Sequence, residues 1–423
     1  MKQIQDIHIS LIHSNQPARV EIDGKNLIIT GGNGCGKTCF LKQLYDGLNR
    51  ISDVQARKSV QALSEELELA NESIQRGAQD QDYTYFKSRA EKIKLELAEA
   101  QQVDIAMVDQ DKFVQSYSDK LFVLSYYKAE RQSKISVDDT KPSLHSLKTS
   151  EAAKPLTEHF GVLFEKYLVA QKVIYNDIIA SKDDKAMPDA LRIDAWLNKV
   201  QEDLRHLFED DTLELAFNRE KQSYYIHQIN KKPFNFDELS SGFSAIMYIY
   251  TDLLMKVELK EIPANKLEGI VLIDEIDAHL HVSLQRRILS FFSYAFPNIQ
   301  FIVTTHSPFV VQSIDNAIIY DLSKREQLED LSAFSYQSIL EGLLGVTVNS
   351  QSIEELLDDL DDAMHLGSPA HEKVSKLIER LDYDKENLSE EAYLFVKRAK
   401  RDFVREQLSS VAKCNNESNA KGK

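Results

Sequence analysis

The chain has 423 residues, with 67 Asp and Glu against 51 Lys and Arg, a formal charge of −16. That length accommodates one large domain with insertions or two to three smaller ones. The charge argues against a surface built as a whole to wrap nucleic acid, although a local basic patch would survive such a sum.

The three cysteines, two of them Cys35 and Cys39, make neither a disulfide framework nor a metal knuckle and suit a reducing cytosol. There is no cationic-then-apolar leader and no apolar run of about 18 residues, so a cytoplasmic protein without a membrane partner is expected. Ile4, Ile7, Ile9 and Leu11 alternate loosely and predict a first strand. Residues 18–22, an Asp23-Gly24 turn and residues 26–30 then read as a hairpin. It leads into Gly31-Gly32-Asn33-Gly34-Cys35-Gly36-Lys37-Thr38, which fits G-x-x-x-x-G-K-[ST] at every fixed position. An apolar strand candidate precedes this loop, and helical spacing from Cys39 onward follows it. Strand, glycine-rich turn and helix together aim backbone N–H groups at an anionic phosphate.

The expected nucleotide-binding residues here are Gly31, Asn33, Gly34, Cys35, Gly36, Lys37, Thr38 and Cys39. Glycine permits positive φ and close backbone approach. Lys37 would reach the β- and γ-phosphates and the Thr38 hydroxyl would ligate Mg²⁺. Cys35 reads as a small filler whose backbone does the binding, with a redox role as the alternative.

Further along, Val60, Leu63, Leu67, Ala70 and Ile74 follow helical spacing, as do Phe86, Ala90, Ile93 and Leu97. A polar break at residues 76–80 separates them. They read as an antiparallel hairpin or short coiled coil, or else as two amphipathic helices lying on the core. Residues 120–125 are a buried-strand candidate, 133–149 a polar loop, and 155–208 helical, with Trp196 in the core. Residues 213–217 and 224–229 suggest a second hairpin. Leu239-Ser240-Ser241-Gly242 precedes a strongly apolar helix over 242–256. Residues 269–273 are an almost purely apolar strand ending in Asp274-Glu275. A helix over 283–296 and a strand over 299–304 follow, and then Thr305-His306-Ser307-Pro308. Beyond Asp321 the chain is expected to be helical and acidic. Glu354, Glu355, Asp358, Asp359, Asp361 and Asp362 read as a solvated face, with a carboxylate metal site as the alternative.

An apolar strand capped by two acids places them at the C-terminal edge of a parallel sheet, where ligands of open α/β sheets bind. Asp274 would hold Mg²⁺ through a water, and Glu275 would polarise the attacking water. Ser240, Ser241 and Gly242 would form a second anion cradle at a helix start.

The order phosphate loop, long insertion, L-S-S-G, acid strand and His-ending strand resembles the ABC-type AAA ATPases of the SMC/RecF/OLD kind. The resemblance covers roughly residues 1–321. It implies an α/β ABC-type P-loop NTPase head with an inserted helical hairpin and a helical C-terminal region. It also implies ATP and Mg²⁺ as ligands and composite sites shared between two heads, hence a homo-oligomer of at least two chains. By that resemblance Ser240, Ser241 and Gly242 act in trans. Residues 274–281 look like the D-E-P-E-x-H-L-H stretch of the OLD-like branch, with Ile276 and Asp277 replacing Pro and Glu. Asp277 would then lie at the dimer contact. Thr304-Thr305-His306-Ser307-Pro308 is similar to that branch's T-H-S-P and makes His306 the γ-phosphate switch. The implied catalytic residues are Lys37, Glu275 and His306, and the metal residues are Thr38 and Asp274. Arg131 or Gln132 is the candidate for the Q-loop. His279 and His281 read as structural or interface residues, because a zinc pair would want further ligands nearby.

The implied boundaries are ATPase segments at 1–51, 106–148 and 209–322, a hairpin at 52–105, a helical subdomain at 149–208, a helical region at 323–412 and a tail at 413–423. Phe243 departs from the family, which often has Glu or Gln after the signature glycine. No Toprim or HNH arrangement is evident. A compact head without a built-in nuclease is most similar to the stand-alone PtuA-type ATPases of Septu and retron anti-phage systems. Such a subunit would hold a separate effector, for example an HNH-type nuclease or a toxin, with retron RNA or DNA as a further partner. Two alternatives stand beside it: a RecF-like DNA-repair clamp, and a nuclease acting through unrecognised C-terminal acids.

Overall fold

A computed structural model describes residues 3–11, 17–52, 60–75, 80–131, 158–259, 267–314, 316–329, 351–366, 371–383 and 392–405, with isolated positions 144, 148, 339 and 388. The chain divides into two compact units, residues 1–334 and 335–423.

The first unit is built on β3 (Asn26–Thr30), buried at all five positions. An apolar run of this kind needs cover on both faces of its sheet. It finds that cover in the middle of a six-stranded sheet made with β5 (Phe122–Tyr127), β8 (Glu268–Ile273), β9 (Ile299–Thr304), β10 (Ala317–Asp321) and β11 (Glu326–Glu329). The strand order is β11-β10-β3-β9-β8-β5. All neighbours are parallel except the edge strand β11, which runs antiparallel to β10.

Two expectations are corrected here. Residues 18–22 and 26–30 do not pair as a hairpin. β2 (Pro17–Glu21) alternates exposed and buried, so it has one apolar face. It pairs antiparallel with β1 (Ile4–Ser10), whose other neighbour is β4 (Val103–Met107). The turn between them does have positive φ at Asp23 (48°) and Gly24 (72°), but it hands the chain from one sheet to another. Residues after Asp321 are not at once helical either, because β11 extends the main sheet first.

The segment between the loop and β4 contains α1 (Lys37–Ser52), α2 (Val60–Gln75) and α3 (Asp80–Gln102). Leu63 and Leu67 of α2 pack on Ile93 and Leu97 of α3. Arg89 Nε donates to Glu66 at 2.9 Å. Early residues of α2 meet late residues of α3, so the pair is antiparallel, and α3 runs straight into β4.

α4 (Gln110–Ser118) precedes β5 and is capped by the Asp109 carboxylate, which accepts from the Lys112 N–H. α5 (Phe164–Ser181) and α6 (Met187–Phe208) form the helical part that follows, with Trp196 edge-on to Tyr167 at 5.2 Å. A two-stranded sheet, β6 (Glu214–Asn218) with β7 (Ser223–His227), lies next in sequence.

α7 (Ser241–Leu259) is buried along most of its length, as a helix apolar on every side must be. Its two buried charges are tied down. The Asp252 carboxylate accepts from Lys256 Nζ (2.8 Å), the Tyr127 hydroxyl (2.5 Å) and the Phe160 N–H (2.7 Å). Lys256 also donates to Ser125 Oγ at 2.9 Å. This knot fixes α7 to β5.

Beyond α7 come α8 (Val282–Gln285), α9 (Ile288–Ala295) and α10 (Pro308–Val311), so the helix expected over 283–296 is two short ones. The second unit contains α11 (Gln351–Leu366), α12 (His371–Tyr383) and α13 (392–405), packed around Leu360, Ala363, Val374, Leu381, Val396 and Phe403. Glu355, Asp358, Asp359, Asp361 and Asp362 all face solvent on α11. Lys373 pairs with Asp359 at 2.8 Å. Among the described residues no group of three His, Cys, Asp or Glu is placed to hold a metal, and no helix is long and apolar enough to cross a membrane.

Substituting Asp252→Ala strands a buried ammonium, a phenol and a backbone N–H together. The expected cost is about 3–5 kcal/mol, the usual penalty for breaking one side of a buried ion pair. Urea unfolding of the variant against wild type measures it.

Candidate nucleotide site

The main sheet puts the ends of β3, β9 and β8 side by side. Ile29 is in register with Thr304, and Val303 with Ile273. The acid strand is therefore not the direct neighbour of the phosphate-loop strand, because β9 lies between them. At about 4.8 Å per strand the two ends stand roughly 10 Å apart. That gap is suited to phosphate and a hydrated cation.

On one side of the gap, the loop from Gly31 to Thr38 leaves β3 with positive φ at Gly31 (135°), Gly34 (77°) and Gly36 (101°). A Cβ on Gly31 would stand 2.8 Å from Ser323 Oγ, the hydroxyl that accepts the Gly32 N–H at 2.8 Å. Ser323 is held in turn by the Asp321 carboxylate, which accepts its N–H. Asn33 and Gly34 are exposed at the loop's tip. The Lys37 side chain curls back into the loop, where Nζ donates to the Gly31 and Gly32 carbonyls at 3.0 and 3.1 Å and lies 3.9 Å from Cys35 Sγ. Thr38 is exposed in the first turn of α1. Cys39 is half-buried, with Sγ donating to Gln43.

On the other side, Asp274 is buried and Glu275 exposed. Thr304 is the joint between them. Its hydroxyl donates to Asp274 Oδ1 and accepts the Glu275 N–H, each at 2.7 Å, while its carbonyl accepts the Ile276 N–H at 3.0 Å. Glu275 has φ 46°. A non-glycine residue there costs of order ~1–3 kcal/mol and persists only where its surroundings over-determine it. Arg131, 5% exposed, completes that enclosure, with Nη1 donating to the Asp274 carbonyl and Nη2 to the Glu275 carbonyl, both at 2.8 Å. Burial lowers the Arg131 pKa to about 10 against the pull of Asp274, Asp277 and Glu275, and the guanidinium stays charged at neutral pH.

His306 follows β9 between two pinned neighbours. The Thr305 N–H donates to the Ile29 carbonyl (3.1 Å), and its hydroxyl donates to Asp277 Oδ1 (2.6 Å). Ser307 Oγ donates to Gln285 Oε1 and accepts the Phe309 N–H at the start of α10. Partial burial and then the charge of Lys37 push the His306 pKa below its ordinary value, while Asp277 and Glu275 pull it up. His306 therefore lies within reach of the charges of Lys37, Asp277 and Glu275.

Leu239-Ser240-Ser241-Gly242 leads into α7. Ser240 and Ser241 are exposed at the start of α7, and Gly242 is buried. A Cβ on Gly242 would come 3.0 Å from the His279 carbonyl, so glycine is what lets the helix start approach the turn after the acids. Ser241 lines a cleft of about 770 Å³ with Glu130, Arg131, His159, Tyr248 and His279. Phe243 stacks on Phe208 at 4.1 Å with rings parallel, which makes it a packing residue in this chain. His281 caps α8, its Nδ1 accepting the Ser283 N–H. Gln132 lies outside the described residues.

Sequence reasoning missed Thr304, Thr305 and Ser323. All three follow or end a strand of the main sheet, but single hydroxyls at strand ends are too common to single out. The donor set fits a nucleotide with Mg²⁺: a loop with three positive-φ glycines, a lysine at its centre, a threonine at the helix start and a buried aspartate across the gap. A P-loop cation takes much of its coordination from phosphate and water, so no closed protein cage is needed.

Residues 27–312 match the family described as "AAA domain, putative AbiEii toxin, Type IV TA system". The chain belongs to this AAA family. It is 33% identical over 166 residues to the Septu protein PtuA of Bacillus thuringiensis, covering 37% of this chain and 40% of that one. It is 42% identical over 95 residues to the "Retron Ec83 probable ATPase" of Escherichia coli, covering 22% of this chain and 18% of the relative. The matches thus span less than half the length of these relatives. Among solved structures, an SMC head bound to the C-winged helix domain of ScpA aligns over 78% of this chain and 98% of its own, with 15% identity and a TM-score of 0.37.

Thr304→Val keeps the shape of the joint while leaving a buried carboxylate oxygen and the Glu275 N–H without their partner. A stability loss of about 1–3 kcal/mol is expected from chemical denaturation.

Proposed function

We propose that this chain binds and hydrolyses ATP at sites shared between two heads, and that it serves as the sensor or scaffold subunit of an anti-phage complex that controls a separate nuclease or toxin. The observation that supports the ATPase reading is that the glycine-rich loop with Lys37 leaves β3, and the Asp274-Glu275 pair leaves β8, at the same edge of one parallel sheet, with Thr304 of the strand between them hydrogen-bonded to Asp274. The defence assignment is supported by the likeness to PtuA and to retron ATPases.

In this reading the loop amides and Lys37 bind and orient the phosphates. Thr38 and Asp274 would hold Mg²⁺, which neutralises charge on the β- and γ-oxygens during phosphoryl transfer. Glu275, exposed beside the gap, orients the attacking water and takes its proton. His306, neutral at pH 7, meets the γ-phosphate edge. The exposed serines Ser240 and Ser241, at the positive end of α7, reach the γ-phosphate bound by a second copy. The partner that this head dimer controls is a separate effector, of which an HNH-type nuclease is the leading kind, and retron nucleic acid is a further candidate.

Lys37→Ala is expected to abolish ATP binding by calorimetry. Glu275→Gln is expected to bind ATP, to lower turnover by about 10²-fold or more and to shift the chain to a dimer by light scattering. Normal turnover by Glu275→Gln removes the base assignment. Sharing is tested by mixing Lys37→Ala with Ser241→Arg, each inactive alone. Half the dimers then carry one intact site, so about a quarter of wild-type turnover should return if the sites are composite. No recovery contradicts the shared site. Co-purification from the native operon identifies the effector, and a chain that emerges alone counts against the scaffold role.

A further inference from the structure

The sequence after β5 reads Lys128-Ala129-Glu130-Arg131-Gln132, where the family resemblance looks for a residue that touches nucleotide or metal. Arg131 is committed differently. Both terminal nitrogens of its guanidinium are used on main-chain carbonyls, those of Asp274 and Glu275, each at 2.8 Å. The fork geometry of Arg suits two adjacent acceptors in a way that Lys does not. The residue it grips is in the left-handed region, at φ 46°. Three further bonds hold the same turn: Glu275 N–H to Thr304 Oγ1, Ile276 N–H to the Thr304 carbonyl and Ala278 N–H to the Glu275 carbonyl. With the backbone fixed on both sides, the Glu275 side chain is turned out to solvent while Asp274 stays buried.

We infer that Arg131 is a positioning residue that clamps the Asp274–Glu275 backbone and holds Glu275 in its strained, outward conformation, rather than a nucleotide ligand. The clamp also gives the preceding strand a lever on the acids. β5 is in register with β8 from Phe122↔Glu268 to Tyr127↔Ile273, and the Asp274 N–H donates to the Tyr127 carbonyl at 2.8 Å. A displacement of residues 128–131 would be passed through the guanidinium to the two carbonyls. This role rests on the reading of Glu275 as the hydrolytic base, but the clamp itself is made by the chain's own atoms.

The test compares Arg131→Met, which keeps length and apolar stem, and Arg131→Lys, which keeps charge but not the fork. Hydrogen exchange on the full-length, nucleotide-free chain comes first. Arg131→Met should speed exchange at the Ile276 and Ala278 amides by about tenfold or more and leave the α1 amides unchanged. Unchanged exchange in the turn overturns the clamp, and global acceleration overturns it as a local device. ATP measurements follow. kcat should fall about 10- to 100-fold, the scale expected for a misplaced catalytic group, with ATP affinity within about twofold. Arg131→Lys should recover part of the rate. In the Glu275→Gln background Arg131→Met should cause no further loss. An equal loss in that background, or a loss of ATP affinity matching the loss in rate, makes Arg131 a nucleotide ligand and overturns the inference. A wild-type chain that does not turn over ATP would instead remove the base assignment, and the exchange measurement would still decide the clamp.

Discussion

The site depends on one strand having come between two others. β9 separates the strand that carries the phosphate loop from the strand that ends in acids, and its last residue, Thr304, ties the three together. Were β3 and β8 adjacent, their ends would be about 5 Å apart, too close for phosphate and a hydrated cation. With β9 between them the gap is roughly twice that, and its floor is lined by a hydroxyl and by the start of the Thr305-His306-Ser307 turn. The parallel arrangement matters as much, since all three strands must end on the same edge for their loops to converge.

A second constraint follows from burial. The sheet is covered on both faces, so each polar group brought into it needs a partner. Asp252 and Lys256 on α7 find theirs in Tyr127, Ser125 and the Phe160 N–H, and in doing so they fasten the signature helix to β5. Arg131, a few residues after β5, fastens that strand's continuation to the acid turn. The helix that presents Ser240 and Ser241 and the turn that presents Glu275 are thus fixed to the same strand.

Much of the fold class was legible in the residues, and the reason is physical. Short runs rich in β-branched residues such as 269–273 and 299–304 suit buried strands, and the loop between residues 31 and 38 has a sequence that few other turns need. What was not legible was pairing. Residues 18–22 and 26–30, joined by Asp23-Gly24, carry every local mark of a hairpin, yet the alternation of β2 and the full burial of β3 send them to different sheets. Local turn chemistry fixed the bend, and face-by-face burial chose the partner. The same reasoning explains β11, a short edge strand rich in Glu and Gln with no apolar pattern to announce it.

In the candidate site, residues of chemistry-bearing types stood out in the sequence because such types are rare in those positions. The contacts that hold them were not legible: Arg131 reads only as a Q-loop candidate, and Thr304 and Thr305 only as part of a motif. Beyond the local bond of Ser323 to Asp321, Thr304, Thr305, Ser323 and Arg131 make main-chain or carboxylate contacts to partners 28 to 291 residues away in sequence. No spacing rule reaches across such distances. The positive φ at Glu275 shows why these supports are needed: the chain leaves the strand there in a conformation that a non-glycine residue rarely adopts. Strain at that one residue is tolerated because four hydrogen bonds, two to Thr304 and two from Arg131, hold the turn, so these supporting residues determine where the Glu275 carboxylate points.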